Sequence, residues 1–319
     1  MPLPLLAPFS TAPSLVRLDV PLARCRLARL SRRVAMAPKI ALVTGTNSGI
    51  GLAASVQLCQ AGYTTYATVR SLAKATALRE AAKAAGVVDR LKVIEMDVSN
   101  DASVASAVTN VLAETDNTLD VVVANAGYGD LSPPEAAAVQ AFQDNLNVNL
   151  FGVVRLANAV LPSMRAAGRG RIIATSSILG LVAMPMMPVY ATTKFALEGY
   201  MESMAAAYAG IGIHFSLVEP GPVATAFSDN ATVPNGMPAE LRPAAKAMEA
   251  FMGRLLSQPQ SSEECAKYIV RAATEERPQL RYMTYEPVEP MIREKYVDLT
   301  GGKTLAALTA MVAPLDASS

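Results

Sequence analysis

Tyr190 and Lys194 stand four residues apart in the run VYATTK, and Ser177 precedes the tyrosine by thirteen positions. On a helix, residues four apart share one face, one turn from each other. A phenol near pKa ~10 is a poor proton acceptor at neutral pH. An ammonium about 5 Å away would stabilise the phenolate by ~3 kcal/mol at an effective dielectric of 20, roughly two pKa units. The pair is therefore expected to form a proton donor and acceptor, with Ser177 holding a substrate oxygen beside the phenol.

These three residues lie in RIIATSSILGLVAMPMMPVYATTK, which carries no charge between Arg171 and Lys194. Its length matches the ~20 residues of a membrane-crossing helix. Pro185, Pro188 and the cluster Thr175, Ser176, Ser177 argue against that reading. The run is expected to be a buried strand, a serine-bearing loop and a helix that opens after a proline.

A second constellation sits near the start of the ordered pattern. The apolar run IALVT leads into Thr44, Gly45, Thr46, Asn47, Ser48, Gly49, Ile50 and Gly51. Glycines at this spacing, between a strand and a helix, turn the chain sharply and let the backbone approach a pyrophosphate. The helix then aims its free N–H groups and dipole at that phosphate. The next strand ends TVRS, so Val69 takes the place where an NAD site usually carries an acid, and Arg70 follows. A guanidinium grips a 2′-phosphate bidentately where an acid would repel it, so NADP(H) is the expected cofactor. Asp97 and Val98, at the end of the third strand, are placed to reach the adenine.

The elements that must hold these residues alternate with regular spacing. IALVT, TTYATV, LKVIEM, DVVVAN, RIIATS and IHFSLVEP read as strands, and LRYMT as a last short one. Helices are expected over Ile50–Ala61, Leu72–Ala85, Asp101–Glu114, Ala136–Met164, Val189–Ala209 and Glu263–Glu275. Strands rich in Val, Ile and Leu that alternate with helices imply parallel pairing through right-handed crossovers. The fold class is α/β: a doubly wound parallel Rossmann-type sheet, one domain with a small substrate-lid region. Residues 39–225 form the NADP-binding and catalytic core, and 226–319 supply the lid, a last helix and strand, and a tail.

Composition narrows the partners. The chain has 319 residues, 51% hydrophobic and 17% charged, with net charge +1, so nucleic acid is not its expected partner. Three scattered cysteines and the one histidine, His214, build neither a disulfide framework nor a metal site. Residues 1–38 differ from the rest, with Arg17, Arg24, Arg26, Arg29, Arg32 and Arg33 against Asp19 alone. That is the profile of an organelle transit peptide, plastid ahead of mitochondrion, or of a tail upstream of a cytoplasmic start at Met36.

TGTNSGIG, the triplet Asn125-Ala126-Gly127, Ser177 with YATTK, and Pro220-Gly221 together resemble the short-chain dehydrogenase/reductase family. The resemblance covers about 39 to 225. It implies that Asn149, in NLFG, is a fourth catalytic member that holds a proton-relaying water near Lys194. It further implies that Asn125, Ala126, Gly127, Tyr190, Lys194, Pro220, Gly221, Val223 and Thr225 line the cofactor, and that the chain forms a homodimer or homotetramer. VYATTKFALEGYMESMA, SLVEPGPVATAF and LRYMTYEP look like the subgroup of 17β-hydroxysteroid and retinol dehydrogenases, in which Glu286 matches a pocket position. The steroid enzyme uses a lid histidine, and between Thr225 and Cys265 there is none. Met184, Met186 and Met187 either form an adaptable apolar entrance or fill core. The expected activity is NADP(H)-dependent interconversion of an apolar alcohol and its ketone or aldehyde. A non-catalytic NADP(H) sensor or scaffold is the alternative, and a cofactor-recycling isomerase a third reading.

Overall fold

The computed structural model describes residues 39–130, 134–225, 237–255 and 257–313. The predicted targeting segment, 1–38, lies outside them. Seven strands form one parallel sheet: β1 Ile40–Val43, β2 Thr64–Val69, β3 Leu91–Glu95, β4 Val121–Ala124, β5 Gly170–Thr175, β6 Ile213–Glu219 and β7 Arg281–Met283. Their order is β3-β2-β1-β4-β5-β6-β7, so the chain reverses direction across the sheet between β1 and β4. In such sheets ligands bind outside the carboxyl ends of the strands, at the point of reversal.

The alternation within each strand decides which face each residue buries. Ile40 and Leu42, Val122 and Ala124, and Ile172 and Ala174 face one core; Ala41 and Val43, Val121 and Val123, and Ile173 face the other. Helices α3 Asp101–Glu114, α5 Phe151–Ala167 and α6 Pro188–Tyr208 cover the first face. Helices α1 Gly49–Gln60 and α8 Ser262–Thr274 cover the second, and α2 Thr76–Ala84 flanks it. Residues after 225 therefore complete the core of a single domain.

Local chemistry sets the helix ends. The Asn100 side chain accepts from the Ser103 N–H to start α3, and Ser261 with Glu264 forms a capping box on α8. Pro188 opens α6, and Gly168 in the left-handed region closes α5. A third apolar layer caps the carboxyl ends of the strands. It joins Ile178, Leu179, Met184 and Met187 to α7 Arg242–Leu255, α9 Glu289–Val297 and α10 Gly302–Met311. Among the described residues no helix is long and apolar enough to cross a membrane.

Two helix expectations need correction. The stretch predicted as one helix over Ala136–Met164 is two, α4 Val139–Asn149 and α5, broken at Leu150. The Asn145 and Asn149 side chains both donate to the Tyr128 carbonyl, 3.1 and 3.0 Å away, and so tie the end of α4 to the loop after β4. The Arg155 guanidinium then takes up the Asn147 carbonyl at 3.0 Å. The stretch from Leu72 begins as a short 3-10 turn, Leu72–Lys74, before α2 starts at Thr76.

Candidate active site

The glycine turn is folded tightly against the sheet. Gly45 and Gly49 have φ of +69° and +59°, a region that favours glycine. A Cβ on Gly51 would stand 2.3 Å from the Gly45 carbonyl oxygen and 2.4 Å from Asn125 Nδ2. The turn is braced from behind. Thr44 Oγ1 accepts from the backbone N–H groups of Asn125 and Ala126, both at 3.0 Å, and Asn125 Nδ2 donates to the Thr44 and Gly45 carbonyls. Thr46 is fully buried and donates to the Thr68 carbonyl at 3.0 Å. No side chain caps the start of α1 and no acid lies in its first turn, so its N–H groups and positive dipole end suit an anionic group. The cradle fits a dinucleotide pyrophosphate.

Arg70 is exposed at the end of β2. Across from it, the Asp97 carboxyl is held below its ordinary pKa, first by the Ser99 hydroxyl at 2.6 Å and, less strongly, by the Arg70 charge. Val98 is buried and packs against Gly152. On the far side, Pro220 to Thr225 leaves β6 and crosses toward the turn. Ile178 N–H donates to the Pro220 carbonyl, Val223 bridges Gln260, and the Thr225 side chain comes within 3.1 Å of where a Gly49 Cβ would sit. Gly221 leaves room for the Tyr285 ring, 2.4 Å from where its Cβ would stand.

Ser177, Tyr190 and Lys194 converge at the carboxyl end of β5. Ser177 and Tyr190 share a side-chain hydrogen bond, and Ser177 Oγ also accepts from the Leu179 N–H at 3.1 Å. Lys194 Nζ lies 5.6 Å from the Tyr190 ring centroid and donates to the Thr175 carbonyl at 2.8 Å. Thr175 in turn donates its hydroxyl to Asn125 Oδ1 at 3.1 Å, which links the lysine to the glycine turn. Asn149 accepts from the Tyr128 N–H and donates to the Tyr128 carbonyl, Asn145 Oδ1 and Thr193 Oγ1, and Gly127 gives it room. The structure thus makes the Asn149 side chain a brace between α4, α6 and the loop after β4.

The expected lowering of the phenol does not hold in the protein alone. Burial drives the Tyr190 pKa well above that of a free phenol, and the Ser177 hydrogen bond opposes only part of this. Burial also brings Lys194 down from 10.5 to about 8, against the Glu198 charge. Taking either charge out of water costs more than Ser177 returns to the phenol or Glu198 to the lysine.

Met184 and Met187 are buried in the apolar layer that includes Tyr190. Glu286 stands exposed, while its neighbours Tyr285 and Val288 pack into that layer. Sequence reasoning gave no bracing role to Thr44, Thr175 or Thr193, though they lie in the quoted runs, and passed over Arg155; their hydrogen bonds reach segments far away in the chain. Among the described residues no three His, Cys, Asp or Glu side chains group as metal ligands.

Comparison with known proteins gives the same outline. The short chain dehydrogenase family profile matches residues 39–235. The 17-beta-hydroxysteroid dehydrogenase type 1 of Homo sapiens is 37% identical over 286 residues, 86% of this chain and 85% of that protein. Retinol dehydrogenase 8 of Homo sapiens is 36% identical over 285 residues, 84% of this chain and 88% of that one. An archaeal alcohol dehydrogenase from Thermococcus sibiricus, solved with 5-hydroxy-NADP, superposes with a TM-score of 0.62 at 26% identity, covering 77% of this chain and 95% of that one. A braced glycine turn, a Ser–Tyr–Lys cluster at the end of β5 and this extent of similarity place the chain in the short-chain dehydrogenase/reductase family.

Proposed function

We propose that this chain is an NADP(H)-dependent oxidoreductase that interconverts an apolar alcohol with its ketone or aldehyde. The observation that carries the reading is the convergence of Ser177, Tyr190 and Lys194 beside the braced glycine turn. The bound nicotinamide would supply or accept the hydride. The turn from Gly45 to Gly51 and the start of α1 would hold the pyrophosphate, Arg70 the 2′-phosphate, and Asp97 and Val98 the adenine end. Asn125 to Gly127, Lys194 and the segment Pro220, Gly221, Val223, Thr225 would hold the rest.

The chain's own groups divide the proton work. The buried Tyr190 hydroxyl keeps its proton at neutral pH and gives it to the substrate oxygen on reduction. Ser177 donates to the same oxygen and holds it against the phenol. The Lys194 ammonium favours the phenolate left behind, in a site where burial strengthens that attraction. The apolar layer of Leu179, Met184, Met187, Met248 and Val288 around the phenol suits an extended hydrocarbon body. The relatives named for hydroxysteroid and retinol support that class of substrate.

The test is NADPH consumption, followed at its nicotinamide absorbance, with retinal, steroid ketones and small quinones. Turnover of an apolar carbonyl is expected, and Tyr190→Phe should cut it by about 10²–10⁴-fold with NADPH affinity changed less than about twofold. A Tyr190→Phe enzyme that turns over like the wild type refutes the assigned acid.

A further inference from the structure

One turn beyond Lys194 on α6, Glu198 is buried, with 6% of its surface exposed. A lone carboxylate at that depth would be costly unless paired. Its partner comes from the far edge of the sheet. Arg281, on β7, donates through Nε to Glu198 Oε2 at 3.0 Å and through Nη2 to Glu202 Oε2 at 2.7 Å. The same Nε lies 3.4 Å from Glu219 Oε1, on β6. The Ser176 hydroxyl, just before Ser177, lies beside the Glu198 carboxyl and lowers its pKa, without a well-aligned hydrogen bond. Gly180 closes the site from above, since a Cβ there would stand 2.9 Å from both Glu198 Cγ and Ser176 Oγ. Tyr296, on α9, faces the same charges.

The charges in this group sort by burial. Glu219 is 1% exposed, and burial, with the Glu198 charge adding, pushes its carboxyl up to about 8, so it is protonated at neutral pH. Burial also raises Glu198, but Ser176, Arg281 and Lys194 all oppose that rise. The exposed Glu202 also pairs with Arg281, so Arg281 does not depend on Glu198 alone, and Lys194 is the next cation along the helix face from Glu198. Lys194 and Glu198 are neighbours on one helix face, about 5–6 Å apart at Cβ.

We propose that Glu198 is a positioning residue: fixed by Arg281, its carboxylate supplies the countercharge that keeps Lys194 an ammonium inside a dry site. The catalytic meaning of this pairing rests on the proposed function; the pairing itself does not. Arg281 would keep Glu202 as its counterion without it, so a purely structural ion pair does not require Glu198 at this position.

The experiment reads the lysine directly. Protein labelled with 13C at the lysine ε-carbon is titrated by NMR without added coenzyme, and the Lys194 signal is assigned by its loss in Lys194→Arg. In Glu198→Gln the Lys194 midpoint should fall by about one to two pH units, because a lost anion at this distance removes roughly that much support for the ammonium. Glu198→Asp should restore at least half of the shift. In the wild type, which needs no substitution to fold, the Lys194 signal should show a second, smaller inflection at the pH where Glu198 ionises. A Lys194 midpoint unchanged in Glu198→Gln, or no second inflection in the wild type, overturns the proposal. A wild-type protein that binds no NADPH and reduces no carbonyl overturns the proposed function instead, and leaves the lysine titration standing.

Discussion

Replacing Lys194 is expected to make the protein more stable while removing the proposed activity. Lys194 is 6% exposed, and burial lowers its pKa from 10.5 to about 8. Below pH 8 both folded and unfolded chains carry the charge, and the folded state bears the whole cost of burying it. The shift of about 2.5 units corresponds to about 3 kcal/mol. Lys194→Met removes that cost but leaves the Thr175 carbonyl without its 2.8 Å donor, a loss of about 1–2 kcal/mol. The net gain at pH 7 is then about 1–2 kcal/mol, a rise of about 2–4 °C in Tm for a domain of this size. The pH dependence checks the cause. Between the folded value near 8 and the unfolded value of 10.5 the native lysine sheds its proton first, so wild-type stability climbs with pH relative to the variant. By pH 10 the charge cost should be under about 1 kcal/mol and the variant's advantage gone. Parallel thermal and urea unfolding of both proteins at pH 7 and pH 10 measures this. A variant less stable than wild type at pH 7, or a difference that stays constant between the two pH values, refutes the argument.

Three further outcomes are expected. Gly51→Ala puts a methyl 2.3 Å from the Gly45 carbonyl oxygen, so NADPH binding should fall at least about tenfold and the melting point should drop, both read in one thermal-shift titration. Thr44→Val removes the acceptor of two backbone N–H groups and should cost about 2–4 kcal/mol in urea unfolding; a change under about 0.5 kcal/mol would mean the brace is not needed. Arg70→Ala should weaken NADPH by about 10–100-fold and NADH by less than about twofold, measured by fluorescence titration, and an equal effect on both would move the 2′-phosphate contact elsewhere.

Much of the site was legible because it is local. The unbroken apolar run Ile40, Ala41, Leu42 and Val43 announces a strand covered on both faces, and the two cores divide it residue by residue. Glycines 45, 49 and 51 declare a tight turn because their missing Cβ atoms are a property of the residues themselves. The spacing of Tyr190 and Lys194 puts both on one face of α6 through helix geometry alone. The break at Leu150 was not legible. Helical periodicity runs straight through it, and the cause is a bond from Asn145 and Asn149 to a backbone carbonyl 17 and 21 residues back.

What the amino-acid order determined by itself was the parallel α/β plan, the glycine turn and the shared face of Tyr190 and Lys194 on α6, each a matter of neighbours within a few turns of chain. What the tertiary structure alone decided was the electrical state of that face. The phenol is raised rather than lowered, the lysine is brought to about 8, and Glu198 meets an arginine 83 residues away. A pKa answers to the water and charge around a group, and here distant segments of the chain take the water away.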